Sequence, residues 1–242
     1  MNQFADDVIE GLSAKSKHLS SKYFYDDAGS KIFKEIMNMP EYYLTDSEFE
    51  ILSLQAKQII DAVNFNEPFN IVELGAGDGF KTFKLLEYLV NNNVNFYYVP
   101  VDISQGAMDS LTTHLKERLP DLSIHPRVGD YFKVLQSENL KTDIPSLLLF
   151  LGSNIGNYMP EQATHLISLF AESMKSGDKL LLGADLKKNP IVINEAYYDK
   201  HGITKRFNLN LLLRINREFA GDFKIDDFDF YCHYNPQEHN RN

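Results

Sequence analysis

An acidic, glycine-rich turn follows a short apolar run at residues 71–80, which read IVELGAGDGF. The residues of this turn that could contribute to a binding site are Glu73, Gly75, Gly77, Asp78 and Gly79. Glycines directly after a strand let the backbone approach a ligand closely, which makes this turn a candidate cofactor site. Because such glycines also occur in plain tight connections, the neighbouring residues must decide which ligand is meant.

The side chains of the turn favour a positively charged ligand over a dinucleotide. Phe80 stands where the dinucleotide fingerprint has its third glycine, and a large side chain there hinders close packing of helix on strand. Glu73 and Asp78 would repel a diphosphate. The same carboxylates are compatible with an amine or a sulfonium, so the turn predicts a ligand that ends in such a group.

Two further strand ends carry acidic residues. Asp102 comes 23 residues after Gly79, where a carboxylate would accept hydrogen bonds from a ribose diol. It is also a possible cap of the following helix, although Ser104 is available for that role. After the next β-rich run, Asp130 can accept from an adenine amine and Tyr131 can line the ring. Together these residues predict an adenosine with an amino-acid tail, which is S-adenosylmethionine.

Strand and helix patterns alternate through the middle of the chain, and they must position these residues. The β-rich runs are FNIVEL, NFYYVPVDIS, SIHPRVGDYF, SLLLFLGSNIGN and DKLLLGADL, and the helical runs between them include KTFKLLEYLV, GAMDSLTTHLKERL and PEQATHLISLFAESM. Such alternation is typical of βαβ units with right-handed crossovers. We therefore predict an α/β protein with a Rossmann-like, doubly wound, mostly parallel sheet, whose ligands lie at the carboxyl ends of the strands.

The flanking segments predict a second, discontinuous part. Residues 1–60 carry helical patterns, the last of which we expect to begin at a cap formed by Thr45 or Asp46. After Pro190 come a helical run, NLNLLLRINREF, and a strand-like run, FDFYCHY. We predict an S-adenosylmethionine-binding core over 61–190 and a helical, substrate-binding cap formed by 1–60 and 191–242.

Composition limits the possible partners. The chain has 34 acidic and 24 basic residues, a formal net charge of −10, whereas nucleic-acid binding depends on clustered Lys and Arg. Cys232 is the single cysteine, and no apolar stretch approaches the roughly 18 residues of a membrane helix. The histidines lack paired metal-ligand spacing, and the first residues lack signal-peptide features. We expect a cytoplasmic monomer without a metal that binds neither nucleic acid nor membrane.

Three long motifs narrow the family. They are KYFYDDAGSKIFKEIMNMPEYYLTDSE (22–48), LGSNIGN (151–157) and NEAYYDKHGITKRFNLNLLLRINRE (194–218). With the glycine turn, they closely resemble the histidine-specific Nα-methyltransferases that make hercynine for ergothioneine synthesis, a branch of the class I methyltransferases. The resemblance implies an S-adenosylmethionine-dependent enzyme that methylates the α-amino group of L-histidine.

The resemblance also implies a cofactor shell. It would include Gly75, Lys81 at the methionine carboxylate, Asp102 at the ribose hydroxyls, and Asp130 and Tyr131 at the adenine. From the residues alone, Lys81 is equally a solvated lysine in a first helical turn, where the helix dipole disfavours it slightly.

For the substrate, the resemblance implies that Asn157 and Tyr197 hold the amino-acid carboxylate and that Tyr42 bonds the imidazole. Tyr25 would reach the amine through water as the catalytic residue, and Phe33 and Gly152 would line the pocket. Each has a structural alternative: the tyrosines suit core packing, and Asn157 suits a helix cap.

The C-terminal sequence departs from the family pattern. Members resembling this chain continue for several tens of residues, with a last sheet strand and two residues that contact the imidazole, so we expect a shortened member with an open sheet edge. The alternatives are a methyltransferase of another small amine or amino acid, and a non-catalytic remnant that keeps the fold. A dinucleotide oxidoreductase fits least well.

Overall fold

The computed structural model describes residues 3–136, 142–235 and 240–241 of the chain. The chain divides into two compact units. One unit joins the segment that ends at Tyr42 to the segment that begins at Lys188, and the other runs from Tyr43 to Lys187. None of the helices in the described ranges has both the length and the apolar character needed to cross a membrane.

The unit from Tyr43 to Lys187 is built on a five-stranded sheet. Its strands are β1 (Phe69–Leu74), β2 (Phe96–Asp102), β3 (Arg127–Val128), β4 (Ser146–Phe150) and β5 (Lys179–Leu182). They lie in the order β3-β2-β1-β4-β5, and every pairing is parallel. The strand order reverses between β1 and β4, which places the expected ligand crevice at their carboxyl ends. The predicted α/β, doubly wound fold is confirmed.

Alternating side chains of the strands supply two cores, one on each face of the sheet. On β1, Phe69 and Ile71 belong to one buried cluster and Val72 and Leu74 to the other. Helices α5 (Phe83–Asn91) and α6 (Gln105–Arg118) cover the first face, together with α3 (Tyr43–Leu54) and α4 (Ala56–Val63). Helices α7 (Tyr131–Gln136) and α8 (Pro160–Ser173) cover the second. Parallel strands buried on both faces read as continuous apolar runs, as FNIVEL does.

The predicted start of the helix before β1 is wrong. The helix begins at Tyr43 and not after a cap at Thr45 or Asp46. It ends at Leu54, and a second helix, α4, begins at Ala56 after Gln55. Thr45 lies inside α3 and is buried, so its side chain is not at the helix end where a capping residue acts.

The other unit contains four helices among its described residues. They are α1 (Gln3–Ser13), α2 (Asp27–Met37), α9 (Pro190–Tyr197) and α10 (Ile203–Phe219), with 3-10 turns at Ser21–Phe24 and Ile225–Asp227. Phe4, Val8 and Tyr23 pack with Leu211 and Ile215 of α10 to form its core. The assignment of cofactor binding to 61–190 and of substrate binding to the flanking segments stays a prediction.

The strand predicted at FDFYCHY is wrong for most of its length. Residues 228–233 have no regular structure, and Tyr231 is 78% exposed. Strand β6 (Tyr234–Asn235) and strand β7 (Asn240–Arg241) form a separate two-stranded sheet. Alternating aromatic residues give only local β propensity, and a strand also needs a neighbour to pair with and a surface to pack on.

Candidate functional site

The glycine turn after β1 is open to a ligand. Gly75, Gly77 and Gly79 have φ values of 72°, 57° and 67°, in the left-handed region that favours glycine. The amide of Gly75 donates to the carbonyl of Val101, 2.8 Å away, which ties the turn to β2. A Cβ placed on Gly77 would meet no atom within 4 Å, so the backbone there borders free space. Phe80, 51% exposed, stacks on Phe49.

Asp102 lies beside this turn. Its carboxylate accepts hydrogen bonds from the amides of Gly77 and Ser104, each at 2.9 Å. Ser104 caps α6 by accepting from the amide of Ala107. The capping alternative for Asp102 is therefore taken by Ser104, and Asp102 instead joins the end of β2 to the turn.

Asp130 and Tyr131 follow β3, at the next strand end. Asp130 accepts a hydrogen bond from the amide of Phe132 at 2.9 Å, at the start of α7. The Tyr131 hydroxyl is hydrogen-bonded to that of Tyr158, and its ring lies edge-on to Phe150 at 5.9 Å. Tyr131 thus packs partly into the core of the sheet's second face.

Glu73 is buried beneath the sheet's first face. It is 4% exposed, and its two carboxyl oxygens accept hydrogen bonds from the hydroxyls of Thr82 and Tyr98. Burial raises the pKa of Glu73 to about 7, although both hydrogen bonds favour the ionised form. These contacts occupy Glu73 within the protein and give no support to its predicted contact with a ligand, which stays a prediction.

Lys81 forms an ion pair that the sequence did not indicate. Its ammonium group binds the carboxylate of Glu48 on α3, and the two side chains are 21% and 14% exposed. Glu48 also accepts the amide hydrogen of Gly152, with oxygens at 2.8 and 2.9 Å. The predicted cofactor residue Lys81 and the predicted pocket residue Gly152 are therefore joined by one glutamate.

The segment after β4 carries Gly152 and Asn157. Ser153 has a φ of 54°, and a 3-10 turn, Asn154–Asn157, follows it. Asn157 is exposed at the end of this turn. Helix α8 is capped instead at Met159, whose amide donates to the side chain of Gln162. The capping alternative for Asn157 is therefore wrong.

The sheet unit also contains a cavity of about 210 Å³ at the carboxyl ends of β4 and β5. Glu48, Gly152 and Ser153 line it, with apolar side chains of α3 and β5. The hydroxyl of Tyr43 donates a hydrogen bond to Asp185 at its border.

Four predicted substrate residues lie together in the other unit. The ring centroids of Tyr25 and Phe33 are 5.3 Å apart, those of Phe33 and Tyr42 are 6.3 Å apart, and those of Tyr42 and Tyr197 are 5.7 Å apart. Phe207 of α10 contacts both Tyr25 and Phe33, at 5.5 and 5.6 Å. We call these five residues the aromatic row. Phe207 was missed because its spacing on α10 indicates only an ordinary apolar helix face.

The charged side chains beside the glycine turn suit a ligand that carries a positive and a negative charge at one end. Lys81 and Glu48 offer one charge of each sign, and Asp102 offers a hydrogen-bond acceptor beside an open glycine turn. The turn does not lead directly into a helix, because α5 begins only at Phe83, so the helix N-terminus that usually receives a diphosphate does not follow the last glycine. In the described ranges no group of three or more His, Cys, Asp or Glu residues could hold a metal ion.

Known methyltransferases resemble this chain in sequence. The model of a family described as histidine-specific, S-adenosylmethionine-dependent methyltransferases matches residues 4–242. Histidine N-alpha-methyltransferase of Mycobacterium tuberculosis is 36% identical over 96% of this chain and 71% of its own length. Ergothioneine biosynthesis protein 1 of Schizosaccharomyces pombe is 27% identical over 96% of this chain and 31% of its own length.

An L-tryptophan methyltransferase of Psilocybe serbica is also similar, with 27% identity over 95% of this chain and 71% of its own length. Among solved structures, a putative S-adenosylmethionine-dependent methyltransferase of Methanococcus maripaludis has 16% identity and a TM-score of 0.47, over 91% of this chain and 92% of that one. The resemblance predicted from the three motifs is confirmed, as is the prediction of a methyltransferase. The chain belongs to the family of histidine-specific, S-adenosylmethionine-dependent methyltransferases.

Proposed function

We propose that this chain methylates the α-amino group of L-histidine, towards trimethylhistidine, with S-adenosylmethionine as methyl donor. The observation that supports this most is the 36% identity to a histidine N-alpha-methyltransferase over nearly the whole chain. The likeness to an ergothioneine biosynthesis protein agrees with a role in that synthesis. Cytoplasmic location and a monomeric state stay predictions.

The proposed cofactor site lies at the carboxyl ends of β1, β2 and β3. Its residues are Gly75, Gly77, Gly79, Lys81, Asp102, Asp130 and Tyr131. The open space over Gly77 and the carboxylate of Asp102 beside it support a nucleoside at the turn. When bound, S-adenosylmethionine supplies a methyl group that its sulfonium already activates, so the protein mainly has to orient the amine and exclude water.

The proposed substrate residues are Gly152 and Asn157, together with four members of the aromatic row, Tyr25, Phe33, Tyr42 and Tyr197. Asn157 and Tyr197 would hold the carboxylate through hydrogen bonds, and Tyr42 would bond the imidazole. Polar groups of this kind discriminate strongly against ligands that leave them unpaired. The attacking amine must be neutral, and we assign to Tyr25 and a water molecule the relay of its proton to bulk solvent.

A methylation assay tests the proposal. Purified chain, S-adenosylmethionine and L-histidine should yield methylated histidine by mass spectrometry. Tyr197→Phe should raise KM for histidine about tenfold, because a hydrogen bond to a charged group is lost. Tyr198→Phe is the matched control, since this neighbouring tyrosine is exposed and stacks on Phe230, and it should leave KM unchanged. Cofactor binding without methyl transfer to any amine would favour the non-catalytic alternative.

A second substrate class has an observation in its favour. The similarity to an L-tryptophan methyltransferase is lower, at 27% identity, but it covers 95% of this chain against 96% for the histidine N-alpha-methyltransferase. Edge-to-face contacts in the aromatic row would suit an indole as well as an imidazole. Competition between equimolar histidine and tryptophan in the same assay separates the two substrates, and a preference for tryptophan would replace the histidine proposal.

A further inference from the structure

We propose that Glu48 binds the α-ammonium group of the methionine end of S-adenosylmethionine, while Lys81 binds its carboxylate. This inference rests on the proposed cofactor site. It assigns a ligand-binding role to a residue on α3, outside the glycine motif and outside the strand ends that the sequence singled out.

The first argument for this assignment is the position of Glu48 in the fold. The strand order reverses between β1 and β4, and open parallel sheets bind ligands at the carboxyl ends on either side of such a reversal. Glu48 accepts a hydrogen bond from the amide of Gly152, two residues after the end of β4. A Cβ on Gly152 would lie 3.3 Å from the Lys81 ammonium and 3.4 Å from the Asn154 amide nitrogen, and a Cβ on Gly75 would lie 3.7 Å from that same nitrogen. These residues therefore border one crevice.

The second argument is that the charges of Lys81 and Glu48 complement those of the ligand. The methionine end is a zwitterion, and Lys81 with Glu48 presents the complementary pair of charges in a partly buried place, where charges are screened less than in water. If the ligand contacted only Lys81, the neighbouring carboxylate of Glu48 would repel the carboxylate of the ligand. With the ammonium placed at Glu48, both ligand charges have an opposite charge as neighbour.

Another carboxylate in this region, that of Glu73, is less accessible. Glu73 precedes the glycine turn, but it is buried, and both of its oxygens accept from hydroxyl groups. Burial also favours its neutral form, which attracts an ammonium group weakly. Glu48 retains partial exposure.

The backbone around Glu48 leaves room for its carboxylate. A Cβ on Gly183, at the end of β5, would overlap Oε1 of Glu48. Gly152, with a φ of 78°, turns its amide towards the same carboxylate. One glycine makes space and the other donates a hydrogen bond, which holds the carboxylate beside Lys81.

Titration calorimetry with three ligands tests the assignment. The ligands are S-adenosylhomocysteine, its analogue without the α-amino group, and 5′-methylthioadenosine, which lacks the whole amino-acid end. Glu48→Gln keeps the size of the side chain and removes its charge. It should weaken S-adenosylhomocysteine about tenfold, as expected for loss of one charge-assisted hydrogen bond, and leave 5′-methylthioadenosine unchanged. The deaminated analogue should bind Glu48→Gln as well as or better than the unchanged chain.

Two variants serve as controls. Glu50→Gln removes a charge from an exposed position on the same helix and should alter none of the three affinities. With a fourth ligand, S-adenosylhomocysteine without its carboxylate, Lys81→Met should remove the preference for S-adenosylhomocysteine over this analogue. Glu48→Gln should instead remove the preference over the analogue without the α-amino group.

The inference is overturned if Glu48→Gln weakens all three ligands alike, which indicates a structural role, or if it tightens S-adenosylhomocysteine, which indicates that Glu48 competes with the cofactor for Lys81. An unchanged affinity for S-adenosylhomocysteine overturns it as well. Failure of the unchanged chain to bind any of the three would instead refute the cofactor site itself. Failure to methylate histidine would leave these binding results intact.

Discussion

Glu73 on β1 and Glu48 on α3 carry the same carboxyl group in opposite surroundings. Glu73 is buried among hydroxyls with a raised pKa, and Glu48 pairs with Lys81 at a partly exposed strand end. Glu73 stands beside the glycine motif and Glu48 stands 33 residues before Lys81. The difference shows that closeness to a motif along the chain does not decide which carboxylate stays accessible, since the face of the sheet and the available partners decide it.

The largest expected difference between the two environments is the loss of stability when each carboxyl group is removed. Glu73→Ala leaves the hydroxyls of Thr82 and Tyr98 without this partner inside the core and opens a cavity, so the free energy of unfolding should fall by about 3 kcal/mol. Glu48→Ala should cost less, about 1 to 2 kcal/mol, because the Lys81–Glu48 pair keeps some contact with water, although the amide of Gly152 also loses its acceptor. Urea denaturation at pH 6 measures both. Equal losses would contradict the distinction between them.

The pH dependence of stability sharpens the same comparison. The folded-state pKa of Glu73 is about 7, above its ordinary value of 4.5, so the folded chain binds more protons than the unfolded chain between these values. The contribution of Glu73 is therefore fully present below pH 4.5 and is lost as the pH rises through 7. Between pH 5 and 8 the loss should be roughly 2 to 3 kcal/mol.

Glu73→Gln isolates this titration, because an amide of the same size stays neutral. The difference in unfolding free energy between the unchanged chain and Glu73→Gln should vary with pH over this range. The corresponding difference for Glu50→Gln should stay flat. A difference for Glu73→Gln that does not change with pH would show that Glu73 is ionised throughout.

Much of this architecture was predictable from local signals. Continuous apolar runs gave β1, β2 and β4, and the glycines after β1 marked a turn whose positive φ values the structure contains. The burial of Glu73 could also be predicted, since alternation along β1 puts its side chain on the same face as Phe69 and Ile71.

Other features depend on contacts between distant parts of the chain. Glu48 reaches Gly152 across 104 residues, and Phe207 joins the aromatic row from α10. No local spacing signals such a pair. The strand expected at residues 228–233 failed for the related reason that aromatic alternation cannot supply the neighbouring strand on which a ladder depends.

Asp102 provides an intermediate case, because its carboxylate holds the glycine turn and also faces the proposed ribose position. In Asp102→Asn the amide group cannot accept from both Gly77 and Ser104. We expect affinity for S-adenosylhomocysteine to fall by about 10-fold to 30-fold, or roughly 1.4 to 2 kcal/mol. Since 5′-methylthioadenosine keeps the ribose, calorimetry should show a similar loss for it, in contrast to Glu48→Gln. A loss confined to S-adenosylhomocysteine would place Asp102 at the amino-acid end instead.

The smallest expected effect concerns the space that Gly183 leaves. Gly183→Ala changes no charge, but the added methyl group would displace the Glu48 carboxylate, whose side chain can rotate away. Affinity for S-adenosylhomocysteine should fall about threefold, less than 1 kcal/mol, while affinity for 5′-methylthioadenosine should not change. In a Glu48→Gln background the same substitution should not lower the affinity further, because the effects of substitutions at contacting residues of one network do not add. An equal loss in both backgrounds would mean that Gly183 acts on the cofactor through β5 and not through Glu48.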